Sequence, residues 1–204
     1  MEKKITDVND VTDSKTVITD SEWIKVIRTS FPEVGADDYI YTEALRETVA
    51  AIIVDENSLN YVMRMEGTLS SNFHPTLKIM TETIEPEDTD HEFSVIRGVK
   101  EEFGIDVEED RIAYLGTING TFQELHNYHI YFIFLDYEKT DFEGDGSVGE
   151  ERSSSQLIEG KEWNMVKDFL SWISYGMLQN AWKNPSHDAS QIMKSKNIEP
   201  EIIG

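Results

Sequence analysis

Apolar positions in the first half of this chain fall into runs of strand length separated by polar turns. Near residue 90 the spacing changes to that of a helix. Val49-Ala50-Ala51-Ile52-Ile53-Val54 is a continuous apolar run, and a run of that length predicts a strand covered on both faces. Asp55-Glu56-Asn57-Ser58 is a turn, and 59–65 reads as the second strand of a hairpin. Residues 77–83 predict a third strand, and 84–90 a loop containing Pro86. A helix follows over 91–103, with Asp90 placed to cap it and Gly104 to stop it. Its apolar stripe is read as Phe93, Ile96, Val99 or Lys100, and Phe103. Residues 112–118 and 128–137 predict further strands, the second strongly aromatic. Residues 138–156 are a long loop dense in Gly, Ser, Asp and Glu. Trp163, Val166, Phe169, Leu170, Ile173, Met177 and Leu178 recur at helical spacing, which predicts one long helix over 162–182, with a short helix after Pro185.

The N-terminal part is less regular. Residues 1–20 read as a polar leader with a short strand at 15–19, and 21–28 as a short helix capped by Asp20 or Ser21 and followed by Pro32. Residues 37–45 are ambiguous between strand and helix. The order hairpin, strand, helix, strands, helix predicts an α/β fold, a mixed sheet covered by helices on its two faces. The expected organisation is an N-terminal extension over 1–45, a domain over 46–183 and a tail over 184–204.

Composition narrows the class. The chain has 204 residues, 39% hydrophobic, enough for a sizeable core. No apolar run has the length of a membrane span, and the N-terminus lacks the apolar stretch of a signal peptide. There is no cysteine, which excludes disulfides, thiolate zinc sites and cysteine nucleophiles and fits a cytoplasmic protein. The net charge of −22 repels nucleic-acid backbones and anionic membranes and keeps the chain soluble. It still permits a phosphorylated small molecule where a divalent cation neutralises local charge.

Chemistry concentrates on the helix over 91–103. Arg97 and Glu101 are four apart and stack on one face; Gly98 and Glu102 stack on the adjacent row. Neighbouring carboxylates on one helix can hold a hard divalent cation through oxygen. The stretch Arg97-Gly98-Val99-Lys100-Glu101-Glu102-Phe103-Gly104-Ile105 resembles the signature helix of the Nudix hydrolases. That pattern runs Arg-Glu, aliphatic, any residue, Glu-Glu, any residue, Gly, aliphatic. Every fixed position matches except one: Gly98 stands where the family carries its first metal-binding glutamate. A glycine there also costs about 1 kcal/mol of helix stability against alanine. Upstream, Thr81-Glu82-Thr83 stands where the family has glycines, and Ile84-Glu85-Pro86-Glu87-Asp88 resembles the following segment, with Asp88, after one inserted residue, in place of a further glutamate.

The resemblance spans roughly residues 46–180 and implies a Nudix-like α/β/α sandwich with a long C-terminal helix. It implies Mg2+ or Mn2+ held by Glu101 and Glu102, with Asp88 or Glu85 compensating for Gly98. Arg97 would hold the carboxylates and the preceding loop in place. The implied reaction is hydrolysis of the diphosphate of a nucleoside diphosphate derivative. The rival is a catalytically impaired protein of the same fold, serving as a nucleotide-binding or protein-interaction module. Gly98→Glu is expected to raise activity if the rest of the site is intact. A homodimer is left open.

Other constellations carry less. His126 and His129 point to opposite faces if both lie on a strand, and His74 and His91 read as isolated and solvent-exposed. Asp141-Phe142-Glu143-Gly144-Asp145-Gly146 has the acids and glycine of a calcium loop, but the twelfth position is Arg152, where a glutamate is required. Glu143, Glu150 or Glu151 of this loop could lend the site a carboxylate. The aromatic strand and Trp163 suit core packing more than base stacking. Arg64 reads as a surface arginine, with contact to an anionic substrate as the alternative.

Overall fold

The computed structural model describes residues 16–20, 24–31, 36–67, 74–120, 124–137 and 154–198. Its elements in chain order are β1 (Thr16–Asp20), β2 (Ile24–Phe31), β3 (Ala36–Ala44), β4 (Thr48–Asp55), β5 (Tyr61–Gly67), β6 (Pro75–Lys78) and β7 (Met80–Thr83). There follow α1 (His91–Phe103), β8 (Ile112–Asn119), β9 (Glu124–Leu125), β10 (Asn127–Leu135), β11 (Ser154–Ile158), α2 (Phe169–Lys183) and α3 (Asp188–Ser195). They form two compact units: Met1–Glu47 with Asn119–Asn127, and Thr48–Ile118 with Tyr128–Gly204.

The first unit holds a four-stranded sheet in the order β1-β2-β3-β9. Where a helix is expected over 21–28, residues 24–28 lie instead in strand β2, antiparallel to both β1 and β3, and 21–23 lie outside the described residues. Ile24, Val26 and Ile27 are β-branched, and such side chains lose rotamer freedom in a helix but suit a pleated surface. Ile27 pairs directly with Tyr41 of β3, and both are buried. This also resolves the ambiguous 37–45 as strand. The two-residue β9 joins β3 in parallel, Thr42 facing Glu124.

The second unit carries the larger sheet, in the order β11-β5-β4-β10-β8, with β6 added to β5 and β7 to β4. β10 runs parallel to β4 and β5 antiparallel to it, so the sheet is mixed. The central run 49–54 is covered on both faces, at most 1% exposed. Val49, Ala51 and Ile53 of β4, with Tyr131 and Ile133 of β10, pack on Val95, Val99 and Phe103 of α1. Ala50, Ile52 and Val54, with Phe132 and Phe134, pack with Leu178, Ala181 and Trp182 of α2 and Ala189 and Met193 of α3. Alternation along one strand thus divides two cores, and this unit is a three-layer α/β/α sandwich.

Three boundaries differ from expectation. Residues 77–83 are two strands, because β6 follows β5 while β7 turns to β4, with Ile79 between them. The long loop ends early: β11 pairs antiparallel with β5. The helix over 162–182 is broken. Gly160–Met165 is a 3-10 segment, and α2 starts only at Phe169, because Asp168 caps it by accepting from the Ser171 N–H and hydroxyl at 2.7 and 2.6 Å. Phe169 belongs to no core stripe; it is 70% exposed. Among the described residues no helix is long and apolar enough to cross a membrane.

Candidate functional site

Helix α1 begins where Asp90 accepts the Phe93 N–H at 2.8 Å and ends at Gly104, whose left-handed backbone (φ 70°) lets its N–H return to Lys100 O. Its buried face is Ser94, Val95, Gly98, Val99 and Phe103. Phe93, expected on that face, is 47% exposed, so the stripe is rotated by about one residue toward Gly98. The glycine therefore lies under the helix, against β7.

Arg97 is the hub of the polar face. Its Nε and Nη2 donate to Asp88 Oδ1 and Oδ2 at 3.1 and 2.9 Å, and Nη2 also donates to Thr83 O at 2.8 Å. Nη1 donates to Glu101 Oε2 at 3.0 Å and lies 3.2 Å from Glu82 Oε1. One guanidinium thus ties together the end of β7, the loop after it and its own helix, and three carboxylates meet on it.

Those carboxylates differ. The Asp88 side chain is only 1% exposed and accepts four hydrogen bonds: two from Arg97, one from the Ser94 hydroxyl and one from the Glu85 N–H. Three of these fall on Oδ2 and one on Oδ1, so Asp88 is built as a clamp. The hydrogen bond from Arg97 outweighs burial and holds its pKa down at about 2. Arg97 is correspondingly held charged, chiefly by Asp88. Glu82 moves the other way. Burial raises its pKa and the neighbouring Glu101 adds to the rise, against the pull of Arg97. Glu101 is the most open of the three, its side chain 39% exposed. No three of Glu82, Glu85, Asp88, Glu101 and Glu102 bring oxygens within 4.8 Å of one another.

Glu102 turns to a second arginine. It pairs with Arg64 of β5, whose Nη1 also donates to Glu102 O at 2.8 Å. Arg64, expected at the surface, has a side chain only 3% exposed, and its guanidinium lies 5.8 Å from the Phe103 ring centroid. It anchors a carbonyl in the last turn of α1, where intrahelical donors run out. The apolar context of Arg64, between Met63 and Met65, was the only sequence hint of its burial.

Gly98 has a steric explanation. A Cβ built on it would lie 2.8 Å from Glu82 Cβ, 3.0 Å from Glu82 Cγ and 3.3 Å from Met80 Sδ. Carbon atoms prefer about 3.5–4.0 Å, and Glu82 Cβ is fixed by its strand. A side chain at 98 is excluded while Glu82 is present, so Gly98→Glu is not the simple restoration expected.

The remaining candidates are placed as follows. His91 is half-buried and its ring lies against that of His129, tilted by 40° with centroids 3.9 Å apart; His129 Nδ1 also lies 3.2 Å from Thr117 Oγ1. His126 lines a cleft of about 330 Å³ in the first unit, with Arg46, Glu47, Asn119 and Asn127. Trp163 is buried, stacked on Tyr175 and edge-on to Tyr61, as core packing requires. Glu143, Glu150, Glu151, Arg152 and the stretch from Asp141 to Gly146 lie outside the described residues.

No family model and no curated protein matches the sequence. Among solved structures, an ADP compounds hydrolase is similar with a TM-score of 0.64 at 12% identity, over 85% of this chain and 94% of that one. A MutT, from work on the enzymes of Aliivibrio salmonicida and Vibrio cholerae, is similar with a TM-score of 0.47 at 12% identity, over 65% of this chain and 95% of that one. The fold is Nudix-like.

Proposed function

We propose that this chain is a divalent-metal-dependent hydrolase that cleaves the diphosphate of a nucleoside diphosphate derivative. The observation that carries this reading is the meeting of Asp88, Glu101 and Glu82 on the single guanidinium of Arg97. Three carboxylates against one cation leave negative charge uncompensated in a partly buried place, and the donors are all oxygen. Mg2+ and Mn2+ suit such a set, and Mg2+ commonly takes only one or two carboxylates beside water and phosphate. Acids that surround Arg97 without converging on one point fit that demand better than a closed cage. The neighbour of similar fold is an ADP compounds hydrolase, so ADP derivatives are the first substrates to try.

A bound cation would neutralise charge on the diphosphate and acidify a water. The protein's own groups do the rest. Asp88 and Arg97 lock the loop after β7 onto α1, which fixes where the phosphates can approach. Glu101 reaches solvent, and on this reading it would hold the cation and accept a proton from water. Glu102 already meets Arg64 through Oε2, so it would serve the cation as a carboxylate shared with that arginine. The test is incubation of the purified chain with Mg2+ or Mn2+ and a panel of ADP-ribose-like and dinucleoside compounds, reading released phosphate-containing products. Turnover abolished by Glu101→Gln is the expected result. No product from any compound ends the hydrolase reading.

The second reading is a nucleotide-binding or interaction module without catalysis, and one observation favours it: Glu102 is engaged by buried Arg64. On this reading nucleotide binds without added metal and without turnover, and calorimetry beside the product assay separates the two. On the hydrolase and nucleotide-binding readings the partner is a small phosphorylated molecule, and the −22 charge works against nucleic acid and anionic membranes.

A further inference from the structure

We propose that Glu82 of β7 supplies to the metal site the carboxylate that helix position 98 lacks, strand and helix having exchanged a glutamate and a glycine across their contact. The inference rests on the hydrolase reading and deepens it. Two departures from the family pattern, read separately in the sequence, each look like a loss: Gly98 where a glutamate is expected, and Glu82 where a glycine-rich turn is expected. In space they are one feature. Glu82 Cβ occupies the position that a side chain at 98 would need, 2.8 Å from its Cβ. A glutamate on the helix requires a glycine on the strand, and a glutamate on the strand requires a glycine on the helix.

The relocated carboxylate arrives beside Glu101. Glu82 Oε1 lies 3.2 Å from Arg97 Nη1, the nitrogen that also donates to Glu101 Oε2 at 3.0 Å. Glu82 Oε1 further accepts the Thr83 N–H at 2.9 Å, which fixes its direction. Each of the two acids thus commits one oxygen to Arg97 and keeps the other available. A pair of carboxylates presented side by side is the number that Mg2+ or Mn2+ takes from protein when phosphate and water complete the shell. Burial works in the same sense: an acid held in a poorly solvated place with an acidic neighbour gains from a cation that removes the repulsion.

The test uses the full chain and two readouts, thermal unfolding without metal and calorimetric titration with MnCl2. Glu82→Gln should keep its melting temperature within a few degrees and weaken Mn2+ binding about tenfold or more. Gly98→Glu should lower the melting temperature by about 5 °C or more. Adding Glu82→Gly to Gly98→Glu should recover most of that loss and return Mn2+ affinity to within about threefold of the parent. Adding Glu82→Ala instead should not recover it, because the interfering atom is Cβ. Unchanged Mn2+ binding in Glu82→Gln overturns the ligand role and leaves the hydrolase reading standing. A double variant no more stable than Gly98→Glu overturns the exchange whatever the metal does. A parent chain that takes up no Mn2+ removes the metal reading itself and the ligand role with it, and the unfolding series still decides the steric exchange.

Discussion

Asp88 shows how a single residue ties site to stability. Its carboxylate accepts from two sides of Arg97, from Ser94 and from the Glu85 backbone, and is almost fully enclosed. Its pKa is about 2 when folded, against an ordinary value near 4 when unfolded, so ionised Asp88 favours the fold. That contribution, about 2 kcal/mol, is whole above pH 4 and is lost as the pH falls toward 2. Asp88→Asn should therefore destabilise by about 2–4 kcal/mol at pH 7, and its deficit in denaturant unfolding should shrink steadily below pH 4. A deficit independent of pH would mean that shape, not charge, is what Asp88 contributes. At this scale the sequence was partly legible. Arg97 and Glu101 meet because a four-residue spacing on a helix fixes their geometry locally. Gly98 was not legible, since its reason is a strand residue 16 positions upstream, and only the register of β7 under α1 brings the two together. Asp55 is half legible in the same way. It closes the β4–β5 turn through Ser58 and also accepts the Tyr137 N–H at 2.9 Å, a contact no local pattern announces.

Elements depend on a few junction residues. Ser171, in the first turn of α2, donates to Asp168 and accepts the buried Ile79 N–H at 3.0 Å, so one hydroxyl joins the start of a helix to the break between β6 and β7. Ser171→Ala should leave a buried N–H without an acceptor and lower stability by about 1–3 kcal/mol, seen as a lower melting temperature with no change in helix content by circular dichroism. Its neighbour Asp168→Ala removes the cap and should cost about 1 kcal/mol. The reading of 162–182 as one helix failed because apolar periodicity does not register a cap: Trp163 and Val166 are buried, but on the 3-10 segment and its exit. The signal was present as Asp168 followed three residues later by a serine that donates to it. The strand β2 was missed for the opposite reason, because a plausible cap outweighed three β-branched residues. Elements with a strong intrinsic signature, such as β4 and α1, were legible almost to the residue.

The molecule as a whole shows what sequence order can and cannot convey. The succession of strands and helices leads to the α/β/α sandwich because alternating residues of β4 must be covered on both sides. That residues 119–127 cluster with the N-terminal segment could not be read, since the link is a two-residue parallel pairing with β3. A chain of charge −22 that gathers three carboxylates on one arginine should respond to divalent cations. Millimolar Mg2+ should raise the melting temperature at pH 7 by more than the same ionic strength of NaCl. The difference should fall as the pH is lowered, because burial holds the Glu82 carboxyl above its ordinary range and a cation must then compete with the proton. Equal responses to the two salts would assign the effect to general screening.

The contact beneath α1 also constrains how this protein can change. A form with glutamate at both 82 and 98 sets two side chains in one space, whereas a form with glycine at both only leaves a gap and a softer helix. Substitution one residue at a time between the two arrangements must then pass through the doubly emptied form, never the doubly filled one. Descendants of a common ancestor would divide into those bearing the acid on the strand and those bearing it on the helix, joined by a rare bare intermediate.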